Sequence, residues 1–163
     1  MSVLFSLEAD CIGLHEQAAT DPSWKQSIEE YRMRYKYVAD CCTYGYLPKA
    51  VVDDSVKVYV KKDAKSSATE CAKRFGYEID LPSVELLRQY ADEWASVNGV
   101  MTIEEDQLFK LDTLRRVWVH CFQNERAFPE EKAARLVTMN IQRHEPEKVF
   151  SIENGIRIAK EVF

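Results

Sequence analysis

The chain is 163 residues long, 46% hydrophobic and 30% charged, with only 5 Gly and 5 Pro, a balance that predicts one globular domain over 1–163 and leaves little room for long flexible linkers or disorder. Its net charge of −5 is segregated: one Lys stands against six carboxylates in residues 1–31, six basic residues against two acidic ones in 57–74, and Arg88 alone against eight acidic residues in 78–106. No apolar run approaches the roughly 20 residues that cross a bilayer, "MSVLFSLEAD" lacks a basic signal segment, and five cysteines without a CxxC pair suit reduced thiols, so the expectation is a soluble cytoplasmic protein with no membrane contact.

Apolar residues recur every three or four positions through most of the chain and predict helices. Residues 2–19 place Val3, Leu7, Cys11, Leu14 and Ala18 on one face. After Asp21-Pro22, a capping residue and a first helical residue, a second helix is predicted to about Tyr44, with Trp24, Ile28, Tyr31, Tyr35, Val38, Ala39 and Cys42 in one stripe. "SVKVYVKK" alternates Val56, Val58 and Val60 with Lys57, Tyr59 and Lys61, the period of a half-buried strand near 56–60.

A helix across "AKSSATECAKRF" is predicted to stop at Gly76. The next begins near Pro82-Ser83, turns Leu86, Leu87, Tyr90, Trp94 and Val97 inward, and ends at Asn98-Gly99. Thr102 and Glu105 have capping-box spacing and predict a long helix to about Glu125, its core face carrying Ile103, Leu111, Leu114, Trp118, Cys121 and Phe122. Pro129 opens a helix to about His144, and the tail 149–163 fits either a helix or a hairpin at Asn154-Gly155. The expected architecture is a mainly α, single-domain bundle of about six to seven helices with a scrap of sheet.

"EADCIGLH" sets Cys11 and His15 four residues apart, the spacing of half a zinc site or of a thiol with a neighbouring base. On a helix Cys11 falls at the centre of the apolar face and His15 on its flank, which favours packing. The adjacent pairs Cys41-Cys42 and His120-Cys121 point about 100° apart on a helix and do not bind one metal together. His144 lies on the inward stripe of its helix, where a capping or hydrogen-bonded role is expected. GxSxG, GxxxxGK[ST], GxGxxG and HExxH do not occur. The paired carboxylates sit at turns or in first helical turns, where acids suit the helix dipole. No catalytic residue, cofactor or metal is implied.

One stretch, "TECAKRFGYEIDLPSVELLRQY", resembles the DNA-binding helix-turn-helix. Ala72, Phe75, Gly76 and Tyr77 follow its small-x-x-hydrophobic-Gly-hydrophobic order, and Val84 to Leu87 would open its second helix. The resemblance spans 69–90 and implies nucleic-acid binding, with Lys57, Lys61, Lys62, Lys65, Lys73 and Arg74 as the basic patch. Glu85, Asp92 and Glu93 on the would-be recognition helix repel phosphates.

The larger surplus is aromatic. Met33, Tyr37 and Tyr44 form a second stripe on the second predicted helix, flanked by Arg32 and Arg34, and these residue types are enriched at interface cores. The expectation is a protein-binding regulatory module, an adaptor, inhibitor or immunity-type protein, acting through a helical aromatic and charged surface on another protein or on a second copy. Nucleic-acid binding through 69–90 and a Cys/His-dependent enzyme or zinc site are the alternatives.

Overall fold

The computed structural model describes residues 2–5, 7–15, 23–41, 55–76 and 80–139. It is mainly helical with two small parallel sheets, and it divides into two compact units, 1–52 with 109–163, and 53–108. Five helices of nine or more residues lie among the described residues, fewer than the six to seven expected.

In the first unit, α1 (Ser2–Phe5) leads through a turn into β1 (Cys11–His15). The structure corrects the first predicted helix: among the described residues of 2–19, Ser2–Phe5 is helical and Cys11–His15 is strand, and residues 16–19 lie outside the described residues. Gly13 sits mid-strand and is buried, and glycine costs about 1 kcal/mol in a helix interior. Cys11 and Leu14 are both buried, so the strand reads as a continuous apolar run, which mimics helical spacing.

The second predicted helix is also shorter than expected. α2 spans Trp24–Arg32 and stops at Met33, and β2 (Tyr37–Cys41) follows. Tyr35, Tyr37 and Val38 are strand formers, and the Tyr37 amide donates to the Asp10 carbonyl (3.2 Å) at the start of a parallel ladder pairing Cys11 with Tyr37 through His15 with Cys41. Tertiary pairing with β1 overrides the helical period. α2 thus becomes the crossover that a parallel pair requires.

The core of this unit is built on α5 (Leu111–Phe122), whose Leu114, Val117, Trp118 and Phe122 are buried in one stripe. Trp118 and Val117 are wholly buried, Phe5 stacks on Trp118 at 6.1 Å, and Phe122 meets Trp118 at 4.3 Å and Tyr37 edge-on at 4.7 Å. α6 (Glu130–Met139) packs on α5 through the buried Ala133. Arg115 bridges the two helices to Glu130 at 2.8 Å.

In the second unit, β3 (Val58–Lys61) and β4 (Met101–Glu104) pair in parallel, Val58 with Met101 through Lys61 with Glu104. The crossover is a helix pair, α3 (Ala64–Phe75) and α4 (Leu81–Val97), which pack together. Asp63 caps α3 by accepting from the Ser66 amide (2.7 Å), which holds its carboxyl below the usual range, and Gly76 closes the helix at φ 72°. The strand near 56–60, the stop at Gly76 and the bounds of α4 are as predicted.

The capping-box reading of Thr102 and Glu105 is overturned. Met101, Thr102 and Ile103 are strand formers, and Ile103 is buried in β4. A 3-10 turn over Glu105–Phe109 separates the strand from α5, which starts at Leu111 rather than Thr102 and ends at Phe122 rather than near Glu125.

A second correction concerns α4. It is amphipathic as predicted, but Ala91 and Ala95 are the residues it buries, while Leu86, Leu87, Tyr90 and Val97 are 50%, 45%, 54% and 78% exposed and Trp94 is half-buried. The small side chains face inward, and the large ones turn to the outside.

Candidate functional site

The residues expected to bind a partner do not share one helix. Arg32 is the last residue of α2, and Met33 and Arg34 lie in the turn after it, all three exposed, with Met33 80% exposed. Tyr37 is half-buried on β2, and Tyr44 lies outside the described residues. A helix apolar on two faces is not what this segment forms.

Tyr37 belongs instead to a clasp that the sequence reading missed. Gln123 and Asn124, both left-handed at φ 49° and 65°, turn the chain back after α5 and deliver Glu125 and Arg126 to β2. Tyr37 Oη donates to Glu125 Oε2 at 2.6 Å. Arg126 lies 5.1 Å above the Tyr37 ring and 5.9 Å above that of Phe122, and it pairs with Asp10 and, at 3.5 Å, with Glu8. Lys36 approaches Glu125 at 4.0 Å, and Lys132 reaches Glu8 at 3.8 Å and the Leu7 carbonyl at 3.1 Å.

An open cleft of about 520 Å³ lies here, lined by Glu8, Lys36, Glu125, Arg126, Ala127, Phe128 and Pro129. Three cations and three carboxylates face one another in the clasp. Their charges cancel, so its clear physical role is to tie the N-terminal turn, β2 and the turn after α5 together. Pairs separated by as many as 125 residues leave no local sequence signal.

Cys11 is buried beside this clasp, and burial, followed by the Asp10 carboxylate, pushes its thiol up to about 11. Burial alone pushes the Cys121 thiol up to about 11 as well. Thiols so shifted stay protonated at neutral pH and are poor nucleophiles. Cys11 and His15 occupy the two ends of β1, not one turn of a helix, and the side chain of His15 lies outside the described residues, as do Cys42 and His144. Among the described residues, no three His, Cys, Asp or Glu side chains come together as a metal-binding group.

The basic patch is in part neutralised by the acidic run that follows it in sequence. Lys61 donates to Asp92 at 2.7 Å, a bond that raises its pKa, and Lys62 donates to Glu105 at 2.9 Å. Lys57 bonds the Ser55 carbonyl (2.9 Å), Lys65 and Lys73 are exposed, and the side chain of Arg74 lies outside the described residues. Segregation in sequence becomes compensation within one unit.

The candidate site is the outer face of α4. Leu86, Tyr90 and Val97 recur at i, i+4 and i+11 on the side of the helix away from Ala91 and Ala95, with Leu87 and Trp94 on the flank between them and the alanines. Arg88 turns to the inner side, where it donates to Ser67 Oγ (3.2 Å) on α3. Along one edge of the apolar stripe run Glu85, Gln89 and Glu93, all exposed. Monomeric proteins rarely leave a contiguous apolar stripe of this kind in water, and such stripes mark interaction sites.

Among the described residues, no helix is long and apolar enough to cross a membrane. No protein-family model, curated protein or solved structure matches the chain.

Proposed function

We propose that this protein is a protein-binding regulatory module, of the adaptor, inhibitor or immunity type, and that it binds through the outer face of α4. One observation carries the reading: a 17-residue helix buries two alanines and leaves two leucines, a tyrosine and a valine about half exposed or more. Covering such side chains contributes about 25 cal/mol per Å² of apolar surface removed from water. A tyrosine at the centre of the stripe is a residue type enriched among binding hot spots. The exposed turn Arg32-Met33-Arg34 is the second surface, supported by the 80% exposure of Met33.

The test is affinity purification of the tagged protein from its native host, comparing the wild type with a Leu86→Glu/Tyr90→Glu variant and with a Met33→Glu variant. The expected result is a stoichiometric partner lost only with the α4 variant, while far-UV circular dichroism and melting are unchanged. Loss with the Met33 variant alone would move the site to the turn. A partner retained by both folded variants would refute both surfaces.

A further inference from the structure

We infer that the face of α4 receives a single helix of another protein, one whose apolar stripe is bordered by basic residues. This deepens the protein-binding reading and rests on it.

The shape of the site fits a helix. From Leu86 to Val97 the stripe runs 11 residues, roughly 16 Å at 1.5 Å per residue, or about three turns of a partner laid alongside. Helix-in-groove recognition uses anchors at this length and spacing. No apolar pocket deep enough for a small molecule is needed for it.

Charge selects the partner. The stripe is bordered on one edge by Glu85 and Glu93, with Gln89 between them, all three exposed. Asp92, on the inner side of that row, is held by Lys61 at 2.7 Å, so the field at the outer edge comes from the two glutamates. A partner helix laid along the stripe sets its own flanking row against this edge, where Lys or Arg is attracted and Glu is repelled.

The same row argues against a second copy of the chain. A two-fold, antiparallel pairing of α4 with itself is isologous and brings Glu85 of one copy to Glu93 of the other, with Gln89 opposite Gln89. Like charges then face each other at both ends. A parallel pairing would instead set the carboxylates against the apolar Leu87 and Trp94 edge of the copy, where their desolvation is uncompensated.

The experiment uses the full chain and two synthetic amphipathic peptides of equal length with the same leucine stripe, one flanked by Lys and Arg, the other by Glu. Binding is read by fluorescence anisotropy at low and at physiological salt. The basic-flanked peptide is expected to bind about tenfold tighter or better, with the difference shrinking as salt screens the flank. In Glu85→Lys/Glu93→Lys the preference should reverse, and Tyr90→Ala should weaken both peptides. Circular dichroism checks that each variant is folded, and Glu85→Gln/Glu93→Gln, which should abolish the preference, replaces the reversal if the lysine variant is not. Equal binding of both peptides, unchanged by reversal, would overturn the basic-helix partner while leaving protein binding intact. Binding of neither peptide by the folded wild type would overturn both. Sedimentation showing a dimer that Leu86→Glu dissociates would assign the face to a second copy and overturn the inference.

Discussion

α5 and α4 are both amphipathic, and they use their apolar faces in opposite ways. α5 turns Leu114, Val117, Trp118 and Phe122 into the first unit, where aromatic rings from α1, β2 and the turn before α6 close over them. α4 turns Ala91 and Ala95 inward and leaves Leu86, Leu87, Tyr90 and Val97 outside. The consequence extends to the units. Among the described residues, nine buried hydrophobic side chains belong to the first unit and three (Ala91, Ala95 and Ile103) to the second. Both units use the same device, a parallel strand pair closed by a helical crossover, yet one spends its apolar surface on its own core and the other keeps it at the surface. An amphipathic pattern therefore establishes that a helix has an apolar face, and the neighbouring elements decide whether that face is core or interface.

The two units differ most at their cores. Trp118→Ala is expected to cost about 3–5 kcal/mol, the range for removing a wholly buried large aromatic side chain, and urea unfolding followed by circular dichroism measures it. In the second unit Ile103→Ala is expected to cost about 2–3 kcal/mol, near the lower end for buried aliphatic truncations, because fewer large side chains surround it. Equal costs would mean that the second core is packed as tightly as the first.

Ala95 tests the inward side of α4 directly. Ala95→Leu puts three extra carbons where neighbours are already close and should destabilise by about 1–3 kcal/mol. Val97→Leu, two residues on and 78% exposed, should be nearly neutral. If Ala95→Leu were stabilising in denaturant, the inner face of α4 would hold unfilled space, and the contrast with α5 would be one of packing quality rather than orientation.

What the sequence made legible follows from where the information lies. Gly76, Pro82 and Asn98-Gly99 are local punctuation, and they place the bounds of α3 and α4 correctly. The alternation of Val58, Tyr59, Val60 and Lys61 marks β3 in the same way. β1, β2 and β4 escaped because each is defined by a partner elsewhere in the chain: Cys11 by Tyr37, Ile103 by Val60. In "EADCIGLH" and "YKYVAD" the apolar residues satisfy a helical period and a buried strand equally well, and only pairing decides between them. The α4 surface was half legible. Its stripe of Leu86, Leu87, Tyr90, Trp94 and Val97 was found, but periodicity does not say on which side the rest of the unit lies. The clasp of Arg126, Glu125 and Tyr37 was not legible at all, since its members are distant in sequence.

That clasp supplies a smaller test on the first unit. Tyr37→Phe keeps the ring against Phe122 and removes the hydroxyl that donates to Glu125 at 2.6 Å. The expected cost is about 0.5–1.5 kcal/mol, the usual net worth of one hydrogen bond, and toward the lower end because Glu125 is exposed. A value near zero would leave ring packing, not the polar clasp, as what fixes β2 against the turn.

The smallest expected effect is the most discriminating. Leu86→Gln, Tyr90→Gln and Val97→Gln each replace an apolar side chain by a polar one on the outer face of α4, and each should change stability by no more than about 0.5 kcal/mol. Trp118 and Ile103 set the scale on which such values count as nothing. Glutamine is a good helix former, so propensity does not mask the result. Were any of the three to cost 2 kcal/mol or more, that side chain would be part of the folded core and the distinction between α4 and α5 would collapse. A near-zero cost combined with lost binding is the signature of an interface, because truncation then removes contacts that exist only in the complex.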